Sequence, residues 1–349
     1  MQTKNGIFIK NIYYMLAYAF QVLNETGYED IESEEFTDAA DLLAAILAKG
    51  MAVQVKRGLG KEYIKIREPL STVRGKICIG ESICESCAGR QRLACEYDVY
   101  SENFLFNQIL KSTAKLLLSS DIKQERKQML KKVYVFFEGV DLISLKDIVW
   151  GKIRFNRLNE TYRMLVTVCY LIVKGLLPAT ENGVVRFQSY LDESQLHRLY
   201  ERFILQFYKK HYPQLKPAAS YIEWALEEGE RVDFLPQMKS DIMLFHEEKT
   251  LIIDAKFYGK IMQEQFEKKT FHSHNLYQIF TYVKNRDREN SGNVSGMLLY
   301  ARTPESDLPC RPYRYTMSGN EISVNTLDLS VPFQSIKEQL CKIVSDWLE

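Results

Sequence analysis

The clearest chemical signal in this sequence comes from two aspartates and a lysine next to apolar runs. Asp241 precedes the apolar run 242–245, and Asp254 and Lys256 stand in a second run, 251–258. Both runs have the length and composition of buried strands. Charged side chains at the ends of such strands cost free energy unless another group compensates them, so this segment is the first candidate for a functional site.

The polar stretch between the two runs predicts an antiparallel hairpin centred between Glu247 and Glu248. In that register Asp241 lies opposite Asp254, and like charges in that arrangement repel each other. The period of two along a strand puts Lys256 on the same face as Asp254. Mg²⁺ binds one or two carboxylates with waters and substrate phosphates, and a nearby ammonium can orient water or stabilise developing charge. The pattern predicts metal-assisted phosphodiester hydrolysis with Mg²⁺ or Mn²⁺.

Two alternatives to this interpretation stay open. Asp254 and Lys256 could form an exposed ion pair at a hairpin edge, which would contribute little to stability. Asp233 lies in the strand-like stretch 231–235 and could be the first acid instead of Asp241. Its distance from Asp254 does not give the symmetric hairpin pairing, so Asp241 is preferred.

The elements that must position these residues suggest two domains, as the length of 349 residues also does. A turn-rich break at 178–183 predicts an α+β domain at 1–180 and an α/β domain at 181–349. Apolar periodicity predicts helices at 11–24, 36–50, 97–119, 121–138, 158–177, 193–211 and 331–348. Alternation and turn residues predict strands within 51–81, a strand–turn–strand–helix order at 231–284, and a buried strand at 294–301.

Composition is that of a globular protein, with 46% hydrophobic and 26% charged residues. Lys+Arg 46 against Asp+Glu 45 leaves a net charge of +1, which argues mildly against DNA as a partner. The N-terminus lacks the features of a secretory signal, and the longest apolar stretch is too short to span a membrane. We therefore expect a cytoplasmic protein without membrane contact.

Two further groups of residues have weaker signals. Seven cysteines indicate reduced thiols, and a group of four with one C-x-x-C pair leaves a zinc site open: Cys78, Cys84, Cys87 and Cys95. His272 and His274 form a His-x-His pair that more often lies in a loop than on a metal. Some of the basic residues near the candidate site could line a DNA path: Lys260, Lys268, Lys269, Lys284, Arg286 and Arg288.

The segment resembles the PD-(D/E)xK nuclease signature, with Asp241 and Asp254 as its acids and Lys256 as its lysine. Gln278 and Tyr282 are similar to the Q-x-x-x-Y helix that follows the core in many of these nucleases, and their spacing of four places them on one helix face. Glu201 is similar to the acid that this fold often places near the metal. Ser240 stands where the signature has proline, a position without metal contact.

Most of the chain also resembles the McrC family, the nuclease subunits of McrBC-type restriction systems. The similar segments are 9–18 (IKNIYYMLAY), 57–63 (RGLGKEY), 74–77 (RGKI), 95–98 (CEYD), 157–162 (RLNETY) and 251–256 (LIIDAK). The resemblance implies a C-terminal PD-(D/E)xK restriction-endonuclease-like domain that cuts double-stranded DNA in anti-phage defence. It also implies an N-terminal domain that docks onto a ring of McrB-like AAA+ GTPase subunits.

The sequence agrees that nucleotide hydrolysis belongs to a partner, because residues 60–62 (GKE) are its sole near-match to a phosphate-binding loop. The resulting hypothesis is a Mg²⁺-dependent endodeoxyribonuclease subunit, with Asp241, Asp254 and Glu201 as metal ligands. Lys256, Gln278 and Tyr282 complete the predicted site. Two alternatives remain: a component of a multi-subunit restriction enzyme that cuts unmodified DNA at a defined sequence, and a non-catalytic activator of the GTPase ring.

Overall fold

The computed structural model describes residues 7–21, 31, 34, 36, 38–157, 159–176, 180–181, 184–185, 193–227, 233–257, 262–265, 268–302 and 312–349. The helices are α1 (Ile9–Ala19), α2 (Ala39–Arg57), α3 (Ile79–Cys87), α4 (Leu105–Ser119), α5 (Gln124–Tyr134), α6 (Arg163–Leu176), α7 (Glu193–His211), α8 (Ser273–Arg286) and α9 (Phe333–Leu348). Short 3-10 turns lie at Val135–Phe137, Trp150–Lys152, Glu160–Tyr162 and Pro213–Leu215. No helix in these residues is long and apolar enough to cross a membrane.

The strands alternate with these helices along the chain. They are β1 (Glu62–Leu70), β2 (Lys76–Ile77), β3 (Leu93–Ser101), β4 (Thr180–Glu181), β5 (Val184–Val185), β6 (Tyr221–Ile222), β7 (Met238–Lys239), β8 (Ile242–His246), β9 (Lys249–Lys256), β10 (Met262–Gln265), β11 (Lys268–Phe271), β12 (Val294–Arg302), β13 (Tyr313–Met317) and β14 (Asn320–Asp328). The mixture of helices and sheets agrees with the expected α/β class.

The chain forms two compact units. One consists of residues 1–42, 174–178 and 187–349, and we call it the sheet unit. The other consists of residues 43–173 and 179–186, and we call it the inserted unit. The sequence places a division between residues 180 and 181, whereas residues 1–42 belong to the sheet unit together with residues 187–349.

Asn11 provides the physical reason for that difference. Its side chain is fully buried, and its Nδ2 donates hydrogen bonds to the carbonyl oxygens of Leu329 (2.9 Å) and Val331 (2.8 Å). The backbone N–H of Phe8 also donates to the carbonyl oxygen of Leu329 (2.9 Å). Because a buried amide needs its hydrogen-bond partners, α1 is fixed to the segment that follows β14.

The core of the sheet unit is a five-stranded sheet in the order β13-β14-β12-β9-β8. The inner strands β14, β12 and β9 run parallel, and β13 and β8 pair antiparallel at the edges. Residues 250–256 of β9 are buried on both faces, as is typical of parallel strands covered by helices. The carboxyl ends of β9, β12 and β14 therefore meet at one edge of the sheet, where ligands bind in open α/β folds.

Helix α8 packs against this sheet through a contact that requires glycine. A Cβ atom at Gly296 in β12 would lie 2.7 Å from Val283 Cγ2 and 2.8 Å from Ile279 Cγ1, both on α8. The end of α8 is held as well, because the buried Asp287 accepts hydrogen bonds from Asn320 Nδ2 and from the backbone N–H of Gly292 (3.0 Å). The helix is thus seated closely on the central strand.

The inserted unit combines α3–α6 and most of α2 with an antiparallel sheet in the order β1-β3-β2. Two of its motifs contact each other: the Gly60 N–H donates to Tyr162 Oη (2.8 Å), and Tyr162 Oη donates to Asn107 Oδ1 (2.9 Å). A Cβ atom at Gly60 would lie 2.9 Å from Tyr162 Oη, which explains the glycine. The backbone of the near-match to a phosphate loop is therefore used in an internal hydrogen-bond network.

Candidate active site

The β8–β9 hairpin has the register that the sequence predicts. Ile242 pairs with Ile253 and His246 with Lys249, so Asp241 and Asp254 occupy mirrored positions. The turn passes through Glu247, whose φ of 50° lies in the left-handed region. Strand β9 extends beyond its pairing with β8 and stays paired with the parallel strand β12. Asp254 therefore lies at the carboxyl edge of the sheet.

The two aspartates are close and withdrawn from solvent. The side chain of Asp241 is held by the backbone of β9, since the Ala255 N–H donates to its Oδ2 (2.9 Å). Asp254 is only 1% exposed. Burial raises the pKa of Asp241, and the charges of Asp254 and Glu201 raise it further. Burial also raises the pKa of Asp254, although the Lys256 ammonium opposes this rise. The site therefore contains more carboxyl groups than its cationic side chains can neutralise.

Lys256 connects the aspartates to α8. Its Nζ lies 2.7 Å from Asp254 Oδ2 and donates to Gln278 Oε1 (3.2 Å). Gln278 Nε2 in turn donates to Tyr282 Oη (2.9 Å). Lys256 is 7% exposed, so this is a buried arrangement and not the exposed ion pair of the first alternative. The structure brings four of the predicted residues into one chain of polar contacts: Asp254, Lys256, Gln278 and Tyr282.

Glu201 approaches the same residues from α7. Burial raises its pKa, and the charges of Lys256 and Asp254 act on it in opposite directions. His197, which the sequence does not single out, lies one turn earlier, and its Nε2 is 3.0 Å from Glu201 Oε1. The Phe257 N–H donates to His197 Nδ1 (3.3 Å), so a neutral ring carries its proton on Nε2 and donates to Glu201. The i, i+4 spacing of His197 and Glu201 was the sequence signal for this pair.

The donor set fits a hard divalent cation. Asp254 Oδ2 is buried and accepts no well-formed hydrogen bond from the described residues, although Lys256 Nζ is near. Two carboxylates completed by waters and substrate oxygens are a usual Mg²⁺ ligand set. Within the described ranges, no three His, Cys, Asp or Glu side chains form a ready-made metal site. Glu201 lies near the aspartate pair, and its role as a metal ligand stays a prediction.

Ser240, the departure from the nuclease signature, has a structural role of its own. Its side chain is buried, its Oγ donates to the Ser220 carbonyl oxygen (3.1 Å), and its N–H donates to the same oxygen (3.0 Å). These bonds fix the backbone immediately before Asp241. Asp233, the rival first acid, is exposed in a turn before β7.

The histidine, basic and cysteine candidates that the sequence suggests lie at several places in the fold. His274 lies in the first turn of α8, where its charge lowers the pKa of Asp254. Lys284 donates to Asn320 Oδ1 (3.0 Å), and Arg288 pairs with Glu223 (3.3 Å). Cys84 and Cys87 are exposed, Cys78 is half-buried and Cys95 is buried. Lys260 and the side chains of Lys268 and Lys269 lie outside the described residues.

The chain belongs to the family described as McrBC 5-methylcytosine restriction system component, whose model matches residues 3–301. It is 28% identical over 349 residues to the Escherichia coli (strain K12) protein described as type IV methyl-directed restriction enzyme EcoKMcrBC, with 98% of both chains covered.

Two solved structures are also similar. One is a half-complex from a tetradecameric assembly of Thermococcus gammatolerans McrB AAA+ hexamers with bound McrC, with a TM-score of 0.47 and 18% identity, covering 96% of this chain and 76% of that chain. The other is the Thermococcus gammatolerans McrBC complex, with a TM-score of 0.40 and 20% identity, covering 57% and 56%.

Proposed function

We propose that this chain is the DNA-cleaving subunit of a McrBC-type restriction system, a Mg²⁺-dependent endodeoxyribonuclease with a PD-(D/E)xK site in its sheet unit. The observation that carries the proposal is the buried contact chain from Asp254 through Lys256 and Gln278 to Tyr282, with Asp241 beside it. Family membership supports a restriction role. Asp241 precedes β8, Asp254 and Lys256 lie on β9, and the other two residues lie on α8. An exposed ion pair on one strand does not account for this arrangement.

Asp241 and Asp254 are the residues that would hold the metal, and Glu201 lies near them on α7. A bound Mg²⁺ would supply Lewis-acid stabilisation of charge on the scissile phosphate and lower the pKa of a coordinated water. The raised pKa values of the two aspartates mean that protons compete with the metal.

Lys256 has the position to act on the reacting phosphate or on the attacking water. Its ammonium is held between Asp254 Oδ2 and Gln278 Oε1, so its direction is fixed before substrate arrives. Fixed charges that need no reorganisation stabilise a transition state more than mobile ones. Gln278 orients Lys256, and Tyr282 orients Gln278; these two are positioning residues.

The division of labour follows from the two units. The sheet unit carries the candidate site, and we assign docking onto an AAA+ GTPase partner to the inserted unit. The names of the similar proteins include such a partner, McrB. The Gly60 segment is bonded to Tyr162 and Asn107, which leaves its backbone engaged within the fold and supports nucleotide hydrolysis by another chain.

The test is DNA cleavage by the chain with its AAA+ partner, GTP and Mg²⁺. Asp254→Ala and Lys256→Ala should each reduce cleavage at least about 100-fold, while circular dichroism and partner binding stay unchanged. Lys249→Ala, an exposed lysine on the same strand, is the matched control and should cut normally. Undiminished cleavage by both site variants would contradict the proposal and favour the non-catalytic activator.

The same cleavage assay tests whether the substrate is modified or unmodified DNA. The family description names 5-methylcytosine, so duplexes with and without that base should be compared at equal length and sequence. Cleavage restricted to the methylated duplex supports a modification-dependent enzyme, and cleavage of the unmodified duplex at a fixed sequence supports the second alternative.

A further inference from the structure

A polar cavity lies in the sheet unit, apart from the aspartate pair. Its volume is about 510 Å³, and it is bounded by α1, the end of α7 and the start of α9. Three lysines and a histidine line it: Lys10, Lys210, Lys337 and His211. In the described part of the chain its lining includes no carboxylate, so the cavity is positively charged.

Aromatic rings hold two of these lysines in place. Lys210 Nζ lies 5.6 Å from the centre of the Tyr18 ring, and Lys337 Nζ lies 5.7 Å from that of Phe333. A ring face within about 6 Å attracts an ammonium without neutralising its charge. Neither lysine forms an ion pair with any residue that the structure describes. Their charges are therefore positioned and available to an anion.

The surrounding framework is rigid. Tyr14 stacks on Phe333 with ring centres 4.2 Å apart, and Tyr18 Oη is hydrogen-bonded to His211 Nε2 (2.8 Å). Helix α9 begins at Phe333, so the partial positive charge of its N-terminus adds to that of the lysines. The pKa of His211 is lowered by burial and by the charges of Lys337 and Lys210, which shows that these cations share one small region.

The cavity and the aspartate pair lie at the same edge of the sheet. Helix α9 and its preceding residues follow the carboxyl end of β14, and Asp254 stands at the carboxyl end of β9. Only β12 separates these strands, a distance of about 10 Å. Glu201 and His211 are both on α7, ten residues or about 15 Å apart along its axis. One turn of duplex, about 34 Å, covers both places.

We propose that this cavity binds a backbone phosphate of the DNA substrate at a distance from the cleaved bond. The inference rests on the proposed nuclease function and adds a substrate-holding contact to it. Lysine ammonium groups and helix N-termini are the usual phosphate contacts in protein–DNA complexes. Such a contact fixes the register of the duplex over the aspartate pair without reading its sequence.

The experiment measures duplex binding by the full chain in EDTA, by fluorescence anisotropy between 20 and 150 mM salt. Lys210→Gln with Lys337→Gln should weaken binding about ten-fold and reduce the slope of log affinity against log salt by about 2. The matched control is Lys209→Gln with Lys342→Gln, which removes the same charge from the same two helices outside the cavity. It should leave the slope unchanged.

Three results would overturn the proposal: no wild-type binding at 20 mM salt, equal effects of both double variants, or an unchanged slope. Impaired assembly with the AAA+ partner at an unchanged DNA slope would instead identify a protein-docking surface. Failure of the nuclease proposal is distinguishable, because it would show as a wild-type chain that never cuts while the slope change persists. Asp254→Ala, measured alongside, should retain the wild-type slope.

Discussion

Asp241 and Asp254 illustrate at the scale of single residues why an active site is a costly arrangement. Asp254 is buried, Asp241 beside it is half-buried, and the pKa of each carboxyl group is raised. Under the proposed function, a metal at this pair would compete with protons for the carboxylate oxygens. The buried neighbours of Asp254 along β9 contribute the packing that offsets this cost.

Asp241→Asn should make the metal-free chain more stable at pH 8, by roughly 2 kcal/mol. An aspartate whose pKa is raised by folding contributes stability below its unfolded-state value near 4, and that contribution is lost as pH rises through the folded-state pKa. Asparagine keeps an acceptor for the Ala255 N–H and removes the charge.

The measurement is urea unfolding in EDTA at pH 4.5 and pH 8. The advantage of the variant should be present at pH 8 and nearly absent at pH 4.5. Asp233→Asn, an exposed position, is the control. A variant less stable than wild type at pH 8 would contradict the argument.

At this scale the sequence predicted the relative positions of the candidate residues, while their roles stay predictions. The mirrored aspartates, Lys256 on the same strand and the helical spacing of Gln278 and Tyr282 follow from periods of 2 and 3.6. His197 was missed because its partner Glu201 was suggested by resemblance alone, and its second contact is a backbone N–H 60 residues away. No local pattern predicts a bond of that kind.

At the scale of elements, α8 sets the position of Gln278 and Tyr282, and its distance from the sheet is set by Gly296. Strand β12 lies at the centre of the sheet, between β9 and β14. A shift of α8 therefore changes the contact between Gln278 and Lys256 while leaving the aspartates in place.

Gly296→Ala should destabilise the chain by about 1–3 kcal/mol, because the added methyl overpacks against Val283 and Ile279. It should also reduce cleavage about ten-fold, since small misplacements of positioned groups are expensive. Thermal unfolding and the cleavage assay measure the two effects.

Ser295→Ala, at the neighbouring position of β12, is the control and should change neither by much. Full cleavage by a destabilised Gly296→Ala chain would show that α8 does not position the site.

The sequence predicted some helices and strands correctly and assigned others to the wrong type. Helices α7 and α9 and strand β12 agree with the expected ranges. Residues 51–57 were expected to be strand and instead complete α2, and residues 97–101 were expected to be helix and instead complete β3. Both stretches are short and ambiguous, and their outcome is decided by packing: Met51 and Gln54 are buried along a helix face, and β3 pairs with β1 along nine residues.

At the scale of the whole molecule, the net charge of +1 agrees with the proposal that this subunit binds DNA together with a partner. Three lysines of the sheet unit line one cavity: Lys10, Lys210 and Lys337. A chain of this kind makes few phosphate contacts by itself.

The isolated chain should therefore bind duplex DNA weakly, with a dissociation constant in the micromolar range or above at 150 mM salt and a salt slope no steeper than about −3. Addition of the AAA+ partner should steepen the slope. Anisotropy titrations with and without the partner measure both, and a steep slope for the isolated chain would argue against shared binding.

The bond from Asn11 to the carbonyl oxygen of Leu329 spans 318 residues of sequence. During synthesis at about 5–20 residues per second, α1 leaves the ribosome roughly 15–65 s before the segment that it must contact. The inserted unit can fold in that interval, because its residues are complete by position 186. The sheet unit cannot complete its folding until β14 and α9 have been synthesised. Under the proposed function, a newly made chain would complete its partner-docking unit before its cleavage site, and the order of translation itself would delay cleavage.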